Sequence, residues 1–414
     1  MKIPEKTEVV VIGGGAWGCS IAYQLAKKGK EVILFEMRNL CSGASGRCGG
    51  MMVQLYGGDL TIDKTKERFT FAKYSYNTMM ELQDEIGEFE FRERGCLDLA
   101  TNEEEWEVVK NIIKIQKELG DSEIELVDRK QVRELMPSLS ETALGGRWRA
   151  TDGNLNPFKY TYKLAEGAKK YGAKVFIQTK ANKIIDAGEK VEGVVTDKGT
   201  VKAEWVVNAA NVWVPYLTPE IEIAPVRQLS MATERAPALK VVPFEVPAPG
   251  YPWGTTQTAS GNLIIGGAGP MEKERFTCFE DHFNEMVSMK DVMECAKYMA
   301  DLVPELASLN IIRCWAGTIG CTPDGVPNIG FVPGKKNLLV AAASTGGMSE
   351  IAGVGKAIAE FVVDGKPSIP MDIYDPARFQ DKKAVWPPQP YDLGSIMKFL
   401  LVRLQKKEKR ESVP

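Results

Sequence analysis

The chain has 414 residues, 44% hydrophobic and 26% charged, the proportions of an ordinary globular protein with material for two or three lobes. A formal charge of −3, with no long basic run before Arg403, gives no reason to expect nucleic acid as a partner. No run reaches the roughly 18 to 20 apolar residues that span a bilayer, and no leader pattern precedes the first predicted strand, so the expected compartment is the cytoplasm.

Residues 7–36 read as strand, glycine turn, helix, strand and acid. Val9, Val10, Val11 and Ile12 predict a strand buried on both faces. Gly13, Gly15 and Gly18 then give G-x-G-x-x-G: a tight turn, a backbone that can approach a pyrophosphate, and close helix–strand packing. A helix over 16–28 aims its positive end at the phosphates, and Gly29 stops it. Glu36 closes the second strand, where an acid accepts hydrogen bonds from an adenosine ribose. The unit predicts dinucleotide binding.

Residues 42–50, SGASGRCGG, form a glycine- and serine-rich loop whose amides could reach further phosphate or ribityl oxygens; the alternative is a plain surface loop. Helices are predicted over 65–87 and 102–119, with a strand-like stretch over 89–100 between them. After the turn-rich WRATDGNLNP, Asn156 and Pro157 are an N-cap and N1 pair opening a helix to about residue 171. Strands and hairpins follow over 174–179 and 191–207, ending in the small residues of VVNAANVW. From 219 to 310 the alternation of strand and helix stops, and short strands such as 263–267 with one helix near 283–302 predict an antiparallel second lobe. The βα pattern returns with a strand over 337–343, a small-residue loop and a helix over 350–364.

The expected architecture is therefore α/β, α+β overall: a Rossmann-type nucleotide-binding domain of residues 1–85, 145–218 and 311–380, and a discontinuous second domain of 86–144 and 219–310 on a mainly antiparallel sheet. Residues 381–414 form a tail whose 393–410 segment predicts a basic amphipathic helix, suited to a membrane surface or a partner, or simply solvated. The eight cysteines form no C-x-x-C pair, and His282 is the only histidine, so no metal site is expected and the thiols are expected reduced.

SGASGRCGG, WRATDGNLNP, VVNAANVW, RCWAGTIGCTPDGVPNIG and ASTGGM, in this order behind the fingerprint, resemble the FAD-dependent amine oxidoreductases of the D-amino-acid oxidase, glycine oxidase and sarcosine oxidase family over residues 7–380. TDG-x-x-x-P-F and YDP-x-RF, at 151–158 and 374–379, look most like the β subunit of heteromeric proline or hydroxyproline dehydrogenases. The resemblance implies FAD, an amine or amino-acid substrate and electron-accepting partner subunits. It puts Gly13, Gly15 and Gly18 at the pyrophosphate and Glu36 at the ribose. Ser45, Gly46 and Arg47 fall along the ribityl chain and flavin edge, and Ala209 and Ala210 near the adenine-side phosphates. Asp324 comes beside the isoalloxazine, with Gly346, Gly347 and Met348 at its pyrimidine end. Cys314 and Cys321 miss the offset of the sarcosine oxidase cysteine, so the flavin is expected to be non-covalent.

The chain departs from the family where a substrate carboxylate would be held. Val53 stands where the sarcosine oxidase pattern has an arginine, and Ile319 where the glycine oxidase pattern has one. Gly346 and Ser349 replace a family histidine and lysine. Arg227, Arg235, Arg313 and Tyr251 remain as catalytic or anchoring candidates, with Lys273 as a further polar contact. An oxidase that uses O2 and releases H2O2 is the nearest competing expectation, and a flavin-binding subunit without turnover is the next.

Overall fold

The computed structural model describes residues 2–55, 62–240, 244–248, 251–267, 283–344 and 346–380. The predicted tail helix, Lys273 and His282 lie outside these residues.

The first sheet grows from the fingerprint. Lys6–Ile12 runs parallel to Val32–Phe35 on one side and to Gly199–Asn208 on the other. Lys174–Phe176 extends the sheet beyond Val32–Phe35, and Leu338–Ala342 beyond the last residues of Gly199–Asn208. Val9 and Val11 pack under the helices Ala16–Lys27, Ile62–Ile86 and Gly347–Val363. Val10 and Ile12 face a second core with Val194, Val201 and Val214. Burial on both faces explains why the strand reads as a continuous apolar run rather than an alternating one. Ala181–Asp186 and Val191–Thr196 add an antiparallel hairpin at one edge. The first of these strands escapes a sequence reading, because its polar residues are half solvated and carry little periodicity.

The second sheet runs in the order Ile311–Cys321, Ala224–Arg235, Asn262–Gly267, Tyr251–Gln257, Phe244–Ala248, Cys96–Ala100, Gly145–Arg149 and Ile124–Asp128. Its pairs are antiparallel except Phe244–Ala248 with Cys96–Ala100. Gly145–Arg149 and Ile311–Cys321, which chain order groups with the nucleotide lobe, hydrogen-bond here instead. Strand pairing is non-local: Ile311–Cys321 finds its register along the whole of Ala224–Arg235, an edge that its neighbours in sequence do not offer. One face of this sheet packs Leu229, Met231, Leu97 and Leu99 against Met289–Leu302. The other face looks toward the nucleotide lobe.

Local signals set several element ends as expected. The Asn156 side chain accepts from the Phe158 and Lys159 N–H groups, and Pro157 opens the helix Pro157–Lys170. Among the described residues no helix is long and apolar enough to cross a membrane.

Candidate cofactor and active site

The first turn is shaped by glycines. Gly13 has φ +108°, and a Cβ there would lie 2.6 Å from the Ala209 carbonyl oxygen. A Cβ on Gly18 would meet the Gly13 carbonyl at 1.9 Å, so the helix seats on the turn only without that side chain. At Gly15 an added Cβ would touch only the Ser45 hydroxyl, at 3.3 Å, because this edge opens onto a cavity. Glu36 stands at the end of the second strand. Its Oε2 accepts from the Gly14 N–H at 2.7 Å and its Oε1 from the Arg38 N–H at 2.7 Å. Burial nevertheless pushes this carboxyl above the ordinary range. Each oxygen keeps acceptor capacity for a hydroxyl at the cavity wall.

Residues 42–50 are clamped rather than free. The Arg47 carbonyl accepts from the Ser230 hydroxyl at 3.1 Å and the Trp315 indole N–H at 2.9 Å. The Gly49 carbonyl accepts from the Thr256 hydroxyl at 2.8 Å. All three donors stand on the antiparallel sheet, which thereby holds the loop against the glycine turn. The Ser45 hydroxyl accepts from the Ala16 N–H at 3.0 Å, satisfying one of the donors the helix start leaves open. The Arg47 guanidinium pairs with Glu285 at 2.9 Å and donates to the Phe283 carbonyl at 3.2 Å.

Asp324 borders the cavity, but its carboxylate is committed. Arg378 Nε donates to Oδ2 at 3.0 Å, and the Val326 N–H donates to Oδ1 at 3.1 Å. Arg378 also donates to Asn328 Oδ1 at 2.8 Å and to the Asp375 carbonyl at 3.0 Å. The YDP-x-RF element and the TPDG turn are thus one structure, joined by an arginine that sequence reading did not single out. Its one signal was its place inside the element shared with the family.

The start of Gly347–Val363 forms the next wall. The Gly346 N–H donates to the Ser344 hydroxyl at 3.1 Å, and that hydroxyl donates to Glu350. The Trp17 indole N–H donates to the Gly347 carbonyl at 2.8 Å, tying two helix N-termini together. Ala343 and Asn211 both hold positive φ, +70° and +48°, and the Ala343 N–H donates to Asn211 Oδ1 at 3.2 Å. Non-glycine residues in this region cost about 1–3 kcal/mol, and here both border the cavity.

These parts enclose a cavity of about 760 Å³. Its lining includes Glu36, Asn182 and Tyr216, Gly15, Ser45, Ala209 and Ala210 of the glycine turn and its surroundings, and Met348, Gln228, Thr256 and Ile319. Every cofactor-side residue expected from the sequence lines it except Gly18 and Gly46. Gly18 acts one layer back, through helix seating. Gly46 turns away, since a Cβ there would meet the Cys41 carbonyl at 2.1 Å and the Phe158 ring at 3.0 Å.

The substrate-side expectations fare differently. Arg227, Arg235 and Arg313 do not line the cavity. Side chains alternate along a strand, so Arg227 shares the far face with Leu229 and Met231, while Gln228 and Ser230 face inward. Arg313 is exposed and pairs with Glu285 at 3.4 Å, and Arg235 lies in the exposed end of its strand, against Gly261. The Tyr251 side chain lies outside the described residues. Val53 is fully buried, with its N–H on the Ser349 hydroxyl at 3.0 Å, and Ile319 offers the cavity an apolar surface. Gln228, Ser230 and Thr256 are the inward polar residues that sequence reading missed; only the strand register reveals them.

The family model for FAD dependent oxidoreductases, DAO, matches residues 8–361. The chain belongs to this family. It is similar to the solved L-proline dehydrogenase from P. horikoshii, at 31% identity and a TM-score of 0.81, covering 91% of this chain and 99% of that one. It is 26% identical to the mitochondrial dimethylglycine dehydrogenase of Rattus norvegicus over 91% of this chain, yet spans only 45% of that protein's length. The glycine oxidase of Bacillus licheniformis is 28% identical, over 82% of this chain and 88% of that protein. The residues present fit FAD: the turn is open where a Cβ at Gly15 would project, a helix start faces it, and the cavity lies within the roughly 300–1,000 Å³ typical of ligand sites.

Proposed function

We propose that the protein oxidises the C–N bond of an amino acid or secondary amine as the catalytic subunit of a dehydrogenase. The observation that carries this reading is the continuity of the cavity, from the Glu36 end to a floor of Gln228, Thr256 and Ile319 on the antiparallel sheet. FAD bound there without a covalent link supplies the two-electron acceptor. Gly13 to Gly15 and the start of Ala16–Lys27 would hold its pyrophosphate, and Glu36 its ribose. Ser45, Arg47, Asp324 and Gly346 to Met348 would frame the ring. The positive end of the helix Gly347–Val363 would favour negative charge on a reduced ring. Ile264, Ile319 and Met51 border the cavity and keep water from the reacting carbon. The amine enters neutral, and the imine leaves for hydrolysis.

The resemblance to proline dehydrogenase β subunits supports transfer of electrons to partner subunits in the cytoplasm. The basic 393–410 segment is then a docking element for a partner or for the inner face of a membrane; truncation after residue 392 should weaken that association without changing the flavin spectrum. The anaerobic test is addition of sarcosine, glycine, D-amino acids, L-proline and hydroxyproline to the FAD-loaded protein. At least one should bleach the flavin, with slow recovery in air that an artificial acceptor accelerates. Fast recovery in air would make it an oxidase, and a flavin that none bleaches would leave a binding subunit.

A further inference from the structure

With arginine absent at both family positions, a carboxylate entering the cavity needs another cation. Among the described residues, Arg47, Arg68 and Arg147 are the arginines that line it. Arg47 is spent on Glu285 and the Phe283 carbonyl. Arg147 is fully buried and bound to Asp98 and Gln116. Lys180 also lines the cavity, but with Thr179 and Asn182 at the Glu36 end. Arg68 is different. It sits on the helix Ile62–Ile86, half-buried at the cavity wall, and among the described residues it has no hydrogen bond or ion pair.

Its neighbours place it at the flavin end. Two turns along the same face of its helix, the Ser75 hydroxyl donates to the Ser349 carbonyl at 2.6 Å, which sets this face of Ile62–Ile86 against the start of Gly347–Val363, and the Arg68 charge is felt by Glu350 and Tyr374. Glu350 accepts from Ser344, which borders the cavity beside Gly346 and Gly347. Burial holds the Glu350 carboxyl above its ordinary range. A half-buried guanidinium without a bidentate partner, at the reacting end of a cavity, is a receptor for a carboxylate.

We propose that Arg68 binds the carboxylate of an α-amino acid substrate, so that the anchor comes from a helix of the nucleotide lobe and not from the antiparallel floor. This rests on the amino-acid reading above, yet it is tested separately by ligands that cannot be oxidised. The first measurement is a titration of the FAD-loaded wild type with pyrrole-2-carboxylate and with pyrrole-2-carboxamide, followed by the flavin spectrum. The carboxylate should bind about 30- to 100-fold more tightly, the range of a charge-assisted pair. Arg68→Met should remove that preference and raise KM for the bleaching amino acid by a similar factor, with kcat at saturation changed far less. Arg68→Lys should recover part of the preference.

Equal wild-type affinity for the two ligands, or a preference that survives in Arg68→Met, overturns the proposal. So does an Arg68→Met protein that loses thermal stability while its FAD-loaded fraction keeps the preference, since Arg68 would then only balance Glu350. A carboxylate preference that depends on Arg68, in a protein that no amino acid bleaches, would uphold the anchor and sink the oxidation reading.

Discussion

The two walls of the cavity were built under different constraints. The nucleotide wall is local and mostly backbone: Gly13, Gly14, Glu36 and Ala16 lie within 24 residues and are held by main-chain donors. The floor is assembled from Gln228, Thr256 and Ile319, on three different strands whose register is fixed by pairing across the chain. A cofactor of constant shape can be met by a constant turn, so its signature survives in short spacing. A substrate is met by single side chains, and a residue's neighbours in sequence say little about which face it occupies.

The contrast is sharpened by substitutions on each wall. Gly15→Val should have the largest effect: a β-branched side chain enters the one open edge of the turn, and the purified protein should lose its flavin absorbance. A variant that stays yellow would break the nucleotide half of the comparison. Arg378→Ala should cost about 3 kcal/mol in thermal or denaturant unfolding, because it removes the cation paired with Asp324 and frees the TPDG turn. Its effect on FAD retention should be smaller than that of Gly15→Val.

Asp152 provides a pH test. Its carboxyl is buried beside Arg147 and Arg149, accepts from the Gln54 N–H at 3.0 Å, and is pushed up to about 7, chiefly by desolvation. The folded state therefore binds this proton more tightly than the unfolded state. Stability from the group is complete below the unfolded value of 3.8 and is lost as pH rises through about 7. Unfolding midpoints of wild type and Asp152→Asn should diverge across that window, the wild type falling relative to the variant as pH rises. Parallel profiles would show that Asp152 does not titrate there.

The smallest effect is expected on the strut between helix starts. Trp17→Phe removes the indole bond to the Gly347 carbonyl and should cost about 1 kcal/mol, with a small shift of the flavin spectrum. A cost above about 3 kcal/mol would mean that the ring packing, not the hydrogen bond, carries the contact.

What sequence made legible follows the same division. Gly13, Gly15, Glu36, and the Asn156–Pro157 helix start were readable because each acts on its immediate neighbours. At Gly46 the tight turn points Ser45 and Arg47 to the cavity, while the absent Gly46 side chain would point toward Phe158. Residue type alone suggests Arg227 as an anchor, and the parity of its strand puts it on the opposite face, with Leu229 and Met231. Gly145–Arg149 and Ile311–Cys321 joined a sheet that chain order does not suggest. Arg68 gave no signal, since on an amphipathic helix it reads as a solvated charge.

The most direct test of the central claim is a crystal structure of the purified FAD-bound protein. The account predicts pyrophosphate at Gly13 to Gly15, ribose hydroxyls on Glu36, and the ring between Gly346 to Met348 and the floor of Gln228, Thr256 and Ile319. A ring lying away from that floor, or a cavity that takes up no FAD, would contradict it.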